Sequence, residues 1–381
     1  MQVEDFTNPS GTITLTSEGA SAFVPAPLPP QLQVSWSLTQ RLAKAERALG
    51  RLAGIGKTLP NPHLLIRPFV RREAVLSSRI EGTQASATDL LLFEASGEPS
   101  SDVTDVREVA NYVRALDYGR KRLAELPISL RFLREIHLKL MRGVRGDQHA
   151  PGEFRAIQNW IGPPGCSIAN ATYVPPAVPA MHEALDAFEK YLHAKTDLPL
   201  LVRCALIHYQ FEAIHPFLDG NGRVGRLLIA FLLESEHALE QPLLNLSAFF
   251  ERNRRDYYEL LHAVSRRSEW TDWIMFVLRG VEEQADDAIQ RSDSMLLLWR
   301  TYRERVAVAR TSALLAAIVD ELFASPATTI ARVRDRLGIT YPSAKNNVDK
   351  LVDFGILTAP KDEGRNRIFV ADEIIRTVEA P

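Results

Sequence analysis

The sequence predicts a mainly α-helical chain, interrupted by one extended flap and closed by a small separate C-terminal domain. Three observations carry this. Apolar residues recur at helical spacing through most of the stretch from Ser37 to Val308. One segment, 151–176, breaks that period with Gly, Pro, Asn and Ser. After Thr311, three short helical periods are followed by two short extended pieces around a polar turn.

Residues 1–30 read as an extended arm, because Pro25, Pro27, Pro29 and Pro30 bias their neighbours away from helix. A first helix begins near Ser37, with Leu38, Leu42, Ala45 and Leu49 on one face, and should stop at Gly54 and Gly56. A second is expected from Pro68 to Glu81, with proline at its start and Gly82 past its end. Further helices are expected over 105–123, 129–141, 178–194, 198–214, 222–235, 253–265, 270–285 and 286–308. Within 151–176, the pieces 158–161 and 171–174 flank Gly162-Pro163-Pro164-Gly165, the pattern of a hairpin flap. At the C-terminus, helices at 311–323, 329–337 and 342–354 precede extended pieces at 356–359 and 367–370, the layout of a winged helix. The expected organisation is an arm and helical region at 1–105, a core at 106–285, a connecting helix at 286–310 and a winged-helix domain at 311–381.

Bulk composition narrows the function classes. With 381 residues and a formal charge of −2, the chain can bury a sizeable core and is no general polyanion binder. Two distant cysteines, Cys166 and Cys204, offer neither a disulfide framework nor a zinc spacing, and suit a reducing cytoplasm. Glu4 and Asp5 argue against a signal peptide, and the longest apolar run, Leu227 to Leu233, is far short of the roughly 18 residues of a membrane span. The expected location is therefore cytoplasmic, with no membrane partner.

The chemistry concentrates in His215-Pro216-Phe217-Leu218-Asp219-Gly220-Asn221-Gly222-Arg223-Val224-Gly225-Arg226. Glycines let backbone N–H groups turn toward a small anion. A helix starts here, so its unpaired N–H groups and positive dipole end face the same point. Asn221 suits the N-cap region, and Arg223 and Arg226, three apart, share a face beside it. Asp219 supplies the carboxylate through which Mg²⁺ is held together with substrate phosphates. His215, at the preceding helix end, can take a proton near neutral pH. A lone histidine at a helix end is ordinarily structural, but this many residue types serving one phosphate geometry rarely coincide.

The segment resembles the signature of the Fic family, His-Pro-Phe-x-Asp-Gly-Asn-Gly-Arg-x-x-Arg, at every specified position. The resemblance implies a helical Fic core and transfer of AMP from ATP to a protein hydroxyl. His215 would be the base, Asp219 would hold Mg²⁺, and Gly220, Asn221 and Gly222 would line the anion hole. Arg223 and Arg226 would bind phosphates, with Gly225 between them. Ser77-x-x-x-Glu81-Gly82 resembles the family's inhibitory motif, on a helix expected over about 68–82. There Glu81 would pair with Arg226 and displace the γ-phosphate. The end of the flap, Thr172, Tyr173, Val174 and Pro175, resembles the family's target-binding segment, and Tyr258, with Tyr257 second, the adenine contact. Relatives often carry Asn seven residues beyond the second tyrosine, where this chain has Ser265.

The tail leaves alternatives open. Lys345, Asn346, Asn347 and Lys350 on the third C-terminal helix, with Lys361, Arg365 and Arg367, would suit DNA. Asp349, Asp353, Asp362 and Glu363 dilute that charge, so homodimerisation or target docking fits equally. Two other functions compete with AMP transfer: removal of AMP from a modified target, and a DNA-binding regulator whose core senses nucleotide.

Overall fold

The computed structural model describes residues 1–58, 62–96, 103–308, 313–359 and 367–379. In chain order these form β1 (Gly11–Leu15), β2 (Ser21–Pro25), α1 (Trp36–Thr58), α2 (Pro62–Ile80), α3 (Ala87–Ser96), α4 (Val103–Arg122), α5 (Leu130–Met141), α6 (Val178–His193), α7 (Leu200–Ile214) and α8 (Asn221–Ser235). They continue as α9 (Leu246–Arg252), α10 (Arg254–Arg267), α11 (Trp270–Val308), α12 (Ala313–Ala324), β3 (Ala327–Thr329), α13 (Ile330–Leu337), α14 (Tyr341–Asp353), β4 (Ile368–Val370) and α15 (Asp372–Glu379). The chain is thus mainly α-helical. Its contacts separate into two compact units that interleave along the sequence: 1–50, 111–240 and 246–284 in one, 51–110, 241–245 and 285–381 in the other.

The first unit is built around α7, which is apolar on every side. Residues such as Leu206, Ile207, Phe211 and Ile214 are fully enclosed, as expected of a central helix. Around it pack α6, α8, α10 and β2. Helix α5 shows how sequence sets an element: Ser129 accepts from the Phe132 amide at 3.3 Å as N-cap, and Phe132, Leu133, Ile136 and Leu140 line the buried face. Phe132 meets Phe231 of α8 edge-on at 5.1 Å, worth about 0.5–1.5 kcal/mol beyond area burial. The buried Trp273 indole is satisfied by the Ala205 carbonyl at 2.9 Å.

The second unit holds α2, α3 and the C-terminal elements. Helix α2 packs on α12 and α15, and α3 lies against β3 and β4. Arg71 of α2 pairs with Glu94 at 2.7 Å and donates to the Ala324 carbonyl at the end of α12. β3 pairs antiparallel with β4, and Thr358 forms one further bridge to Val370. Thr329 and Thr340 cap α13 and α14, and Gly338 ends α13 in the left-handed region. Of the basic residues read in the tail, Lys345 is paired with Asp349 at 2.6 Å. Asn347 is buried and bonds its own helix at Ser343. Lys361 and Arg365, with the polar turn, lie outside the described residues.

Several boundaries differ from the sequence reading. The arm is a β-hairpin whose Ala22 and Phe23 are fully buried, so it contributes to the core. Helix α1 runs through Gly54 and Gly56, because a helix docked by its apolar face absorbs the roughly 1 kcal/mol that each glycine costs. Helix α2 starts at Pro62 and carries Pro68 inside it. α11 is one helix across 285–286, where nothing in the sequence breaks it. Helices α3, α9 and α15 were not expected. Each is ten residues or fewer, too short to show a periodic signal.

Candidate active site

The site lies in the first unit, where α7 ends and α8 begins. His215 is the C-cap of α7 in the left-handed region, φ 50°, a position ordinarily given to glycine. Its amide donates to Phe211 O at 3.0 Å. Its Nδ1 lies 3.3 Å from the Glu212 carbonyl. A carbonyl can only accept, so the contact calls for a proton on Nδ1, which in the neutral ring leaves the lone pair to Nε2. That is the tautomer a general base requires. His215 itself is half-buried.

The loop that follows is held by its carbonyls. His215 O accepts from Arg155 Nε at 3.1 Å and Pro216 O from the Arg155 amide at 2.9 Å. Phe217 O accepts from Asn221 Nδ2 at 2.8 Å and Asn159 Nδ2 at 2.9 Å. Asp219 O lies 3.0 Å from His137 Nε2. Pinning these carbonyls fixes the course of the loop that leads into the N-terminus of α8. Asn221 is therefore not the N-cap. It is the first residue of α8, and its amide closes a ring with Phe217 N and O. The N-cap is Gly220, φ 78°, where an added Cβ would sit 2.8 Å from Met141 Sδ.

His137 is buried and stacked on Phe217, 3.8 Å between ring centres and nearly parallel. Its Nδ1 accepts from the Gly152 amide at 2.8 Å, so its Nε2 must be the donor to Asp219 O. Burial holds its pKa down at about 4, so it is neutral at physiological pH.

Arg223 and Arg226 lie on the first turns of α8, both buried. Arg223 Nη2 is 3.6 Å from Asp219 Oδ1, which also accepts the Gly220 amide at 2.6 Å. Gly222 sits in the same first turn. Gly225 lets α8 approach α7: a Cβ there would press on Glu212 Oε1 and lie 3.2 Å from the His208 ring. Two guanidiniums and the first-turn amides of α8 suit a polyphosphate. The Asp219 side chain stays partly exposed. Among the described residues no cluster of three or more His, Cys, Asp or Glu could hold a metal. One carboxylate is nevertheless what Mg²⁺ needs when phosphate and water complete its shell, so the donor set fits a metal that arrives with nucleotide.

The flap rises beside this loop. Ile161 and Tyr173 form one antiparallel bridge. Thr172 is exposed, but the side chains of Tyr173, Val174 and Pro175 are buried. The Tyr173 hydroxyl donates to Ala213 O at 2.7 Å. The carbonyls of 173–176 accept in turn from Ile161 N, Phe23 N, Gln158 Nε2 and Arg155 Nη2. Phe23 thus attaches the N-terminal hairpin to the flap. Ile157, Trp160 and Ile161 are its exposed apolar residues.

On α10 the two tyrosines separate. Tyr257 is buried, stacked on Phe250 at 4.6 Å, with its hydroxyl 2.8 Å from His208 Nε2. Tyr258 is 36% exposed, with the Arg254 guanidinium 5.9 Å from its ring centre. Ser265 is buried, bonded to Tyr209 OH at 2.9 Å and through its carbonyl to the Ser10 amide. It serves the arm. In the second unit, Ser77 is fully buried in the last turn of α2, Glu81 is exposed just past its end, and Gly82 takes φ 98°.

His137, Arg155, Gln158 and Asn159 were not found in the sequence. Arg155, Gln158 and Asn159 fall inside the 151–176 stretch, where polar residues read equally as solvated loop, and His137 sits on the buried face of α5, where a lone histidine reads as core.

The Fic/DOC family N-terminal model matches residues 39–121, and the Fic/DOC family model matches 127–233. The protein adenylyltransferase Fic of Nematostella vectensis is 29% identical over 218 residues, 55% of this chain and 46% of that protein. The protein of the same name from Drosophila virilis is 31% identical over 202 residues, 52% of this chain and 36% of that protein. The chain thus spans less than half the length of these relatives. Among solved structures, a Fic family protein from Desulfovibrio desulfuricans superposes with a TM-score of 0.60 at 17% identity, covering 90% of this chain and 98% of that one. Fic-1 from C. elegans gives 0.52 at 19%, covering 68% and 74%.

Proposed function

The chain belongs to the Fic/DOC family, and on that premise we propose that it is a protein adenylyltransferase using ATP and a protein hydroxyl. His215 Nε2 takes the proton of a Ser, Thr or Tyr hydroxyl. The hydroxyl oxygen attacks the α-phosphorus, the bond from that phosphorus to the bridging oxygen breaks, and pyrophosphate leaves. The observation that supports this reading is the Nδ1 contact to Glu212 O, which favours the tautomer of a base, six residues before a helix N-terminus flanked by two buried arginines. Positioning and charge stabilisation supply the acceleration, as expected for phosphoryl chemistry. Arg223, Arg226 and the first-turn amides hold the phosphates. Mg²⁺ bound through Asp219 and those phosphates would neutralise charge on the leaving group.

Because the carbonyls of 173–176 are taken within the chain, a target segment docks along the exposed limbs of the flap, around Ile157, Trp160, Ile161 and Thr172. Tyr258, exposed on α10, supports the adenine. Glu81 restrains the reaction: its carboxylate competes with the γ-phosphate for Arg226, so nucleotide binds unproductively. Among the described residues no helix is long and apolar enough to cross a membrane.

Intact-mass measurement after incubation with Mg²⁺ and each nucleotide tests the reading. Glu81→Gly should gain an AMP-sized increment from ATP, on itself or on an added protein, faster than the parent. Glu81→Gly combined with His215→Ala should gain none. Labelling that survives loss of His215 would refute the assignment of the base. Glu81→Gly labelling no faster than the parent would refute the restraint.

A further inference from the structure

Arg155 is 2% exposed, and among the described residues no carboxylate pairs with it. Its guanidinium instead donates to three backbone carbonyls: His215 at 3.1 Å, Ile157 at 3.3 Å and Pro176 at 2.5 Å. Its own amide holds Pro216 O at 2.9 Å. These carbonyls belong to the end of α7 and to the two roots of the flap, where the chain enters and where it returns.

We propose that Arg155 is a positioning residue, locking the backbone of His215 to both roots of the flap so that base and target hydroxyl meet in one fixed geometry. The proposal rests on the AMP-transfer reading given above. An unpaired buried cation is costly, and a role in filling space would be served by an aliphatic side chain. A planar fork with donors fixed in direction joins three segments at set angles, which no aliphatic or flexible ammonium side chain can do. The joint matters at His215, whose left-handed backbone is sustained only while its surroundings over-determine it. It matters equally at the flap, where the Ile161–Tyr173 bridge is the ladder pairing between the two limbs and a free root would let the target drift from the α-phosphorus. Burial also depresses the Arg155 pKa to about 10, without neutralising it at physiological pH.

The test uses the full chain carrying Glu81→Gly, with Arg155→Met and Arg155→Lys added separately. For Arg155→Met, kcat for AMP transfer should fall about 100-fold, the scale of a misplacement near 1 Å, while Kd for ATP stays within about threefold. Target KM should rise, and amide exchange at 158–161 and 172–174 should accelerate. Arg155→Lys, which keeps the charge but not the fork, should fall between, about tenfold down in kcat. Folded variants with parental kcat and parental flap exchange would overturn the proposal, as would equal losses of kcat and ATP affinity, the mark of general damage. If Arg155→Met does not fold, Arg155→Lys decides alone by the same two readouts. Flap exchange is read without any turnover. An Arg155 proposal supported by exchange in a chain that transfers no AMP would therefore sink the functional reading and leave the brace standing.

Discussion

The neutral His137 makes the stability of the first unit depend on pH in a way that can be calculated. Its pKa is held at about 4 against an ordinary value of 6.5, chiefly by burial. The unfolded chain therefore binds a proton more readily than the folded one across that window. Stability contributed by this group is complete above pH 6.5 and declines as pH falls toward 4. Linkage with these two values removes about 2 kcal/mol between pH 7 and pH 5, and about 3 kcal/mol by the time both states are protonated. The same protonation would put a charge against the Phe217 ring and the Gly152 amide, so the loop that carries His215 should loosen together with the fold. The comparison is urea unfolding, followed by tryptophan fluorescence, of the parent and His137→Gln at pH 7 and pH 5. The variant should be less stable at pH 7, having lost the stacked ring, but should lose about 2 kcal/mol less than the parent on acidification. His208 and His262, whose pKa values burial lowers to about 3 and about 4, contribute equally to both proteins and cancel. Equal pH dependence in the two would refute the claim that a neutral His137 holds the loop.

Two further outcomes follow from the site. Gly225→Ala gains about 1 kcal/mol of helix propensity but overpacks the α7–α8 contact at Glu212 and His208, so it should lower unfolding stability by about 1–2 kcal/mol net. A calorimetric scan showing a raised Tm would contradict that packing. Tyr258→Ala should raise the KM for ATP about tenfold with little change in Tm, the scale of one lost base–aromatic stack. Tyr257→Phe, which removes only the hydroxyl on His208, should leave that KM unaltered, and the reverse pattern would exchange the roles of the two tyrosines.

The sequence was most legible where residues act through their neighbours in the chain. His215 to Arg226 announces a helix end, a turn and a helix start because glycine, asparagine and arginine each carry a local backbone or charge consequence. Long amphipathic helices such as α5 declared themselves by period and cap. What stayed hidden was set at long range. Asn221 looks like a cap, yet its amide is spent on Phe217, because the cap position is already filled by a left-handed Gly220. The flap end 172–175 looks like an open edge, yet three of its side chains face inward and Phe23, some 150 residues earlier, takes the Val174 carbonyl. Arg155 and His137 reach the site through backbone atoms of segments 60 and 82 residues away, so no spacing rule could connect them to His215. Short elements such as α3 were missed because ten residues hold too few turns to show a period.

The interleaving of the two units has a consequence for synthesis. Leu91 of α3 shares its apolar cluster with Ala327 and Ile375, so one side of that contact leaves the ribosome more than two hundred residues before the other. At translation speeds of about 5–20 residues per second, the sticky faces of α2 and α3 wait on the order of ten seconds or more for partners not yet made. During that interval they are natural clients for a holding chaperone. Truncation before residue 313 should yield an aggregating product, since the cluster then has nothing to close it.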